Sequence, residues 1–252
     1  MRRFFVPPAI SRDEVFELPD REARHAAQVL RLEAGDELTV LDGVGGVMRC
    51  VIESASKRSV RVTVNERKQL APLPCPVTLI QAVPKGPAFE TIVQKATELG
   101  VSRIVPLLSE RVVSHVTDKA APAKVEKWMQ IAIESIKQCG SPWLPTIDAP
   151  VRFDALVSQM TPAPVNDFGV VCSLEEKSRT LREAIAAHLA KGQFAQRAAL
   201  WIGPEGDFTP AEYAAIERLG ATPITLGPLV LRADTAAIAC LAVANHELQP
   251  RD

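Results

Sequence analysis

The stretch Ala199-Leu200-Trp201-Ile202-Gly203-Pro204-Glu205-Gly206-Asp207-Phe208-Thr209-Pro210-Ala211-Glu212 decides the fold. An uninterrupted apolar run of strand length meets a glycine-bounded loop and then a marked helix start. Thr209 suits the N-cap, Pro210 the first helical position, and Glu212, three residues after Thr209, completes a capping box. A buried strand feeding a helix through a short loop is the repeating unit of an α/β domain with a parallel sheet. Gly203 and Gly206 let backbone approach a flat ligand closely. Glu205, a carboxylate at a strand end between them, is poor core material. An ordinary strand-to-helix turn accounts for the glycines equally well.

The same alternation extends in both directions. Strands are expected at 77–83, 103–107, 169–172 and 223–226, and helices at 89–99, 123–138, 180–190, 211–219 and 235–248. Parallel sheets bind ligands at the carboxyl ends of their strands. The second loop of interest is therefore Leu226-Gly227-Pro228-Leu229-Val230-Leu231-Arg232-Ala233-Asp234-Thr235-Ala236, again a strand end, a Gly-Pro turn and an Asp/Thr cap. Arg232 is the only cation between Arg218 and Arg251. It precedes a helix N-terminus, where the dipole disfavours positive charge, so helix stability does not explain it. It suits an anion or a polarised carbonyl; the competing reading is a salt bridge to Asp234 or Glu205. The final helix reads Ala-Ala-Ile-Ala-Cys-Leu-Ala-Val-Ala through its middle, so it is expected to be buried on every side, as a core helix or a subunit interface.

Upstream, Ala71-Pro72-Leu73-Pro74-Cys75-Pro76 packs three prolines into six residues and sets a boundary, giving domains 1–71 and 72–252. The first is β-rich. Glu37 to Leu41 alternates, Asp42-Gly43 and Gly45-Gly46 supply turn residues, and Ser59 to Asn65 alternates with Val60, Val62 and Val64 on one face. One helix is expected near Asp20 to Leu32.

The chain has 252 residues, 29 Lys plus Arg and 30 Asp plus Glu, a formal net of -1, so no global positive field draws it to nucleic acid. The total hides a local excess. Between residues 49 and 68 six cations, among them Arg49 and Arg61, face two carboxylates, a net of +4 that fits either a phosphate footprint or a solvated strand face. Hydrophobic residues are 47% and charged residues 23%, which excludes disorder and collagen-like repeats. Five cysteines without a CxxC pair fit a reducing cytoplasm, and no metal is expected. Two prolines at 7 and 8 cut the N-terminal apolar run short of a secretion leader, and the longest apolar run, 236–244, is too short to span a membrane. GxSxG, HExxH and Walker motifs are absent, Gly43 to Gly46 fails the dinucleotide spacing, and the histidines His25, His115, His188 and His246 are scattered, which disfavours hydrolytic and zinc chemistry.

Taken together, these motifs resemble the bacterial 16S ribosomal RNA (uracil-N3)-methyltransferase family, a branch of the SPOUT methyltransferases. The resemblance spans almost the whole chain: Arg3-Phe4-Phe5-Val6, the HAAQVLR segment from His25 to Arg31, Lys85-Gly86, QKATELGV, Ser109-Glu110-Arg111, GPEG at 203–206 and LGPLVLRADTA at 226–236. It implies a small N-terminal PUA-like β-barrel and a C-terminal SPOUT α/β domain with a mainly parallel sheet and a deep trefoil knot, in a cytoplasmic homodimer. S-adenosyl-L-methionine is the implied cofactor, held by Gly203, Pro204, Glu205 and Gly206, by Leu226, Gly227 and Leu231, by Thr235 and Ala236, and more weakly by Leu174. Arg232 and Glu205 are the implied catalytic residues. Arg2, Arg3, His25, Arg31, Arg49 and Arg61 are the implied contacts to 16S rRNA or the small ribosomal subunit. The chain departs from the family where members commonly read GPEGG, since Asp207 takes the last position, and at Leu229, Asp234 and Ser141. Another SPOUT enzyme acting on rRNA or tRNA, or a non-catalytic RNA-binding assembly factor, are the alternatives.

Overall fold

The computed structural model describes residues 2–112, 120–160, 167–174, 178–192 and 194–249; His115 and Arg251 lie outside them. The chain divides into two compact units. The first comprises 1–72 together with 133–144, and the second 73–132 together with 145–252. A single cut at the prolines therefore does not describe the division, because a short later stretch belongs with the N-terminal residues.

In the N-terminal unit β1 (Arg3–Phe5), α1 (Pro8–Ser11), β2 (Val15–Glu17), α2 (Asp20–Arg24), β3 (Glu37–Leu41), β4 (Gly46–Ala55) and β5 (Val60–Gln69) follow in order. They form one sheet, β1-β3-β4-β5-β2, parallel between β1 and β3 and antiparallel elsewhere. The inward residues are those that the alternation selects: Phe4, Met48, Cys50, Ile52, Val60 and Val62 are all buried in one cluster. Asp42 Oδ1 closes the β3–β4 turn, accepting the amides of Val44 and Gly46 at 2.8 Å each, while Gly43 and Gly45 take the positive φ values of +81° and +100° that the turn requires. The helix expected near Asp20 to Leu32 is shorter. After Arg24 it widens into a π-helical turn, His25–Val29, with the Leu30 amide reaching back to the His25 carbonyl, and Arg31 at φ +53° ends it.

Residues 133–144 are fastened to this unit by charge. Lys137 Nζ lies 2.9 Å from Glu22 Oε1, and both side chains are over nine-tenths buried; Glu134 approaches the same ammonium. Arg3 donates to the carbonyls of Lys137 (3.2 Å) and Gln138 (2.8 Å). It thereby caps a helix C-terminus, where a cation is favoured. Gly140, at φ +86°, lies flat against that guanidinium: a Cβ there would meet the Arg3 guanidinium carbon at 2.9 Å.

The second unit contains β6 (Val77–Ala82), α3 (Ala88–Glu98), β7 (Arg103–Leu108), α4 (Ala121–Cys139, whose end belongs to the first unit), β8 (Thr146–Ile147), β9 (Val151–Arg152), α5 (Phe153–Met160), β10 (Phe168–Cys172), β11 (Arg179–Thr180), α6 (Leu181–Leu189), β12 (Ala198–Ile202), α7 (Pro210–Arg218), β13 (Thr222–Thr225) and α8 (Ala233–Leu248). The sheet is parallel throughout, in the order β11-β13-β10-β12-β6-β7-β8, with β9 added against β7. All five residues of β12 are buried, as its unbroken apolar run requires of a central parallel strand. This is the α/β architecture expected from the alternation. The order β13-β10-β12-β6-β7 sets the carboxyl ends of five neighbouring strands along one edge, and the site is built there.

Two expectations for α8 need correction. It starts at Ala233, two residues before Thr235, with Arg232 at the N-cap and no side-chain cap; the Asp234 carboxylate instead accepts the Thr235 amide within the first turn. In the single chain it is buried along one stripe, Ala237, Cys240, Leu241, Ala244 and Leu248, rather than all round, and Val243 is 43% exposed. Small residues let α8 pack closely on one side, while Thr235, Val243 and His246 are exposed on its outer side.

Candidate functional site

Three strand ends in the second unit, those of β10, β12 and β13, together with the first turn of α8, enclose a cavity of about 380 Å³. That is within the range of small-molecule sites, roughly 300–1,000 Å³. Its wall is mostly apolar, from Ile202, Ile224, Leu226, Leu229, Val230 and Leu231, with Glu205, Asp207 and Arg232 as its charged members. Of the residues singled out from the sequence, Leu174, Gly203, Pro204, Glu205, Leu226, Gly227, Leu231, Arg232 and Ala236 line it. Gly206 and Thr235 do not; both are exposed nearby. Gly227 holds φ +135°, a backbone that side chains other than glycine rarely adopt, with open space where a Cβ would stand.

Arg232 has no ion-pair partner among the described residues, so the salt bridge to Asp234 or Glu205 is not formed. An extended backbone at the N-cap (φ -64°, ψ 154°) leaves its guanidinium exposed on the cavity wall. Its five donors are free for a planar acceptor such as a carbonyl pair.

The loop after β12 is braced from the ends of β6, its neighbour, and of β7, one strand further along the sheet. Glu205 Oε1 accepts the backbone amide of Lys85, which follows β6, at 2.9 Å. Arg111, which follows β7, donates from one terminal nitrogen to the Gly206 carbonyl at 2.8 Å. Glu212 Oε1 accepts the Glu110 amide while Oε2 accepts the Thr209 amide, both at 2.9 Å, so the capping box also ties the end of β7 to the start of α7. The sequence marks Lys85-Gly86 and Ser109-Glu110-Arg111 as motifs without assigning them work. The signal that identifies them is positional: each follows a strand lying beside or one removed from β12 in the sheet.

Asp207 carries the tight turn at φ +60°. The Tyr213 hydroxyl lies 2.6 Å from its Oδ1 and 3.0 Å from the Cys172 carbonyl, and the Phe208 amide donates to the same Oδ1 at 2.8 Å. Burial, and the hydroxyl's bond to this carboxylate, push the Tyr213 phenol well above its ordinary range.

A larger hollow of about 670 Å³ is lined by Ser109, Glu110, Arg152, Thr209 and Glu212 among others. Its lining includes none of the residues expected to act in catalysis or to hold cofactor or RNA, and the carboxylate of Glu212 in it is engaged through both oxygens. The smaller cavity, with its apolar wall and unpaired guanidinium, is the better-equipped site.

The cations expected to meet RNA lie in the N-terminal unit. Arg49 and Arg61 project outward from β4 and β5, each beside a carboxylate, Glu66 at 3.3 Å and Glu53 at 3.2 Å. Arg2 pairs with Asp36 at 3.2 Å, and Arg31 is exposed. Such exposed pairs are worth at most about 1 kcal/mol and yield readily to a phosphate. Two candidates have other work: Arg3 caps the helix end, and His25 packs against Phe4 with ring centroids 5.8 Å apart. Among the described residues no group of three His, Cys, Asp or Glu is placed to hold a metal ion, and no helix is long and apolar enough to cross a membrane.

Residues 71–245 match the RNA methyltransferase domain family, and residues 18–65 the RNA methyltransferase PUA domain family. A Synechocystis protein named ribosomal RNA small subunit methyltransferase E is 33% identical over 249 residues, 98% of this chain and 78% of its own length. The Bacillus subtilis protein of the same name is 30% identical across 99% of this chain and 98% of its own. Among solved structures, the Legionella pneumophila protein Lpg2936, crystallised with S-adenosylmethionine bound, is 30% identical and superposes with a TM-score of 0.85, covering 97% of this chain and 96% of that one.

Proposed function

The chain belongs to the ribosomal RNA small subunit methyltransferase E family, and from that premise we propose that it methylates N3 of a uridine in 16S rRNA, using S-adenosyl-L-methionine as the methyl donor. The observation that carries the reading is the unpaired Arg232 guanidinium on the wall of an apolar cavity built at the carboxyl ends of three parallel strands.

The cavity suits the cofactor. Its volume, its aliphatic wall for the faces of adenine and the bare backbone at Gly203 and Gly227 for the edges are what a nucleoside needs. Gly203 is closely packed, since a Cβ there would sit 3.1 Å from Asp207 Oδ1 and 3.4 Å from the Phe208 amide nitrogen, tight enough that these neighbours would have to shift slightly. Bound there, S-adenosylmethionine supplies a methyl group on a cationic sulfur. The chain's own residues hold and prepare the base. Arg232 stabilises the negative charge that collects on the uracil carbonyls as N3 gives up its proton. Glu205, with Oε1 on the Lys85 amide, keeps Oε2 for that proton, directly or through a water it orders. No covalent link between protein and base is needed; the work is placement and charge stabilisation.

In the same reading the N-terminal unit is the RNA-binding domain, contributing Arg2, Arg31, Arg49 and Arg61 to phosphates. Because pairing in a helix occupies uridine N3, the target uridine is taken from an irregular, unstacked region. A homodimer is supported by the apolar residues left open in the second unit, Val243 on α8 and Leu229 and Val230 at 75% and 77% exposure beside the cavity. The trefoil knot and a cytoplasmic location belong to this reading as well. The test is reverse transcription across small-subunit rRNA from cells with and without the gene. A stop at one uridine that disappears with the gene and returns on complementation is expected; a stop unchanged by deletion contradicts the proposal.

A further inference from the structure

Asp207 stands at φ +60°, where a glycine would be free of strain, and its side chain faces the cavity that receives the cofactor. Only one of its oxygens is used. Oδ1 takes the Tyr213 hydroxyl at 2.6 Å and the Phe208 amide at 2.8 Å, while Oδ2 has no hydrogen-bond or ion-pair partner among the described residues. Three charged groups line the cavity: the Glu205 and Asp207 carboxylates and the Arg232 guanidinium. Glu205 is exposed and turned onto the Lys85 amide, and Arg232 belongs to the base. Asp207 is half-buried and held rigidly by two donors, yet no cation of the described residues answers its charge. That charge is felt across the cavity wall: the Cys172 thiol is pushed up by its hydrogen bond to Cys240, by burial, by the Cys240 charge and also by Asp207. A fixed, partly desolvated carboxylate without a counter-ion is costly alone and favourable once a cation is brought to it.

We propose that Asp207 is the counter-charge for the cationic methionyl end of S-adenosylmethionine, so that this loop recognises the cofactor by charge as well as by shape. The inference rests on the reading that the cavity binds this cofactor, and it assigns to Asp207 a binding role that a glycine in its place could not fill. Two groups on the ligand carry the required charge, the sulfonium and the α-ammonium. S-adenosylhomocysteine keeps the second and lacks the first.

The experiment is calorimetric titration of the full chain, wild type, Asp207→Asn and Asp207→Gly, with S-adenosylmethionine and with S-adenosylhomocysteine. Asp207→Asn keeps the shape and an acceptor for Tyr213 and Phe208, and Asp207→Gly relieves the backbone; circular dichroism verifies that each is folded. The expected result is a loss of about tenfold in S-adenosylmethionine affinity in both variants. If S-adenosylhomocysteine affinity stays within twofold, the sulfonium is the partner; if it falls equally, the ammonium is. Binding of both ligands within twofold of wild type in both variants overturns the inference while leaving the methyltransferase reading intact. A wild-type chain that binds neither ligand removes that reading, and this inference with it.

Discussion

Glu205 Oε1 accepts the backbone amide of Lys85 at 2.9 Å, across 120 residues of chain, and so pins the loop after β12 to the loop after β6. A carboxylate singled out for chemistry thus has positioning work. Glu205→Gln keeps an oxygen for the Lys85 amide but loses basicity, whereas Glu205→Ala loses both. Glu205→Gln should leave cofactor affinity within about threefold and reduce turnover by on the order of 10²-fold. Glu205→Ala should in addition weaken the cofactor, since one charge-assisted hydrogen bond is worth about 1.5–3 kcal/mol. Equal turnover in wild type and Glu205→Gln assigns the residue to loop positioning alone.

Arg232→Ala removes a guanidinium that touches no other charged group of the described chain, so folding should be little changed. Turnover should fall by on the order of 10²–10³-fold with cofactor affinity nearly unchanged, the pattern of an interaction made in the transition state. Steady-state kinetics beside cofactor titration measures the split. Full methylation by the variant removes Arg232 from the reaction.

The buried pair Lys137–Glu22 carries a stability prediction. Breaking it from one side leaves a charge buried without its partner, at a cost of about 3–5 kcal/mol. Lys137→Met should therefore lower the urea midpoint markedly, and the double variant Lys137→Met with Glu22→Leu should recover much of the loss. Additive losses in the double variant contradict a coupled pair. Glu22 Oε2, buried and without a hydrogen-bond partner among the described residues, makes rescue by two apolar residues the expected direction.

For RNA, Arg49→Ala and Arg61→Ala should each weaken binding to small-subunit rRNA and reduce the slope of log affinity against log salt by about 1. Arg3→Ala should instead lower thermal stability, because its donors hold the carbonyls of Lys137 and Gln138. Unchanged salt slopes in the first two variants would move the RNA footprint elsewhere.

The parallel α/β unit was legible because β6, β7, β10 and β12 are short apolar runs separated by helical periods, a pattern that local physics writes directly into sequence. The N-cap of α7 was legible for the same reason, since Thr209, Pro210 and Glu212 act within one turn. What stayed hidden depends on contacts distant in the chain. Nothing in Arg3 reveals that it will cap a helix ending 136 residues later at Cys139, nor in Lys137 that Glu22 awaits it. Arg111 and Lys85 could be seen as motifs but not as braces of one loop, because sheet order, which places β6 beside β12 and β7 beyond β6, is set by crossover topology rather than by composition. The overestimate of α8 burial has a similar origin: an all-apolar helix states that both faces want cover without stating which molecule provides it.

Methyl transfer to uridine N3 is read out by incubating the purified protein with S-adenosylmethionine and small ribosomal subunits or 16S rRNA lacking the modification, then analysing the digested nucleosides by mass spectrometry. The expected product is one N3-methyluridine per 16S molecule, formed by wild type and strongly reduced with Arg232→Ala. RNA that gains no methyl group, or gains it on another base or on a ribose, contradicts it.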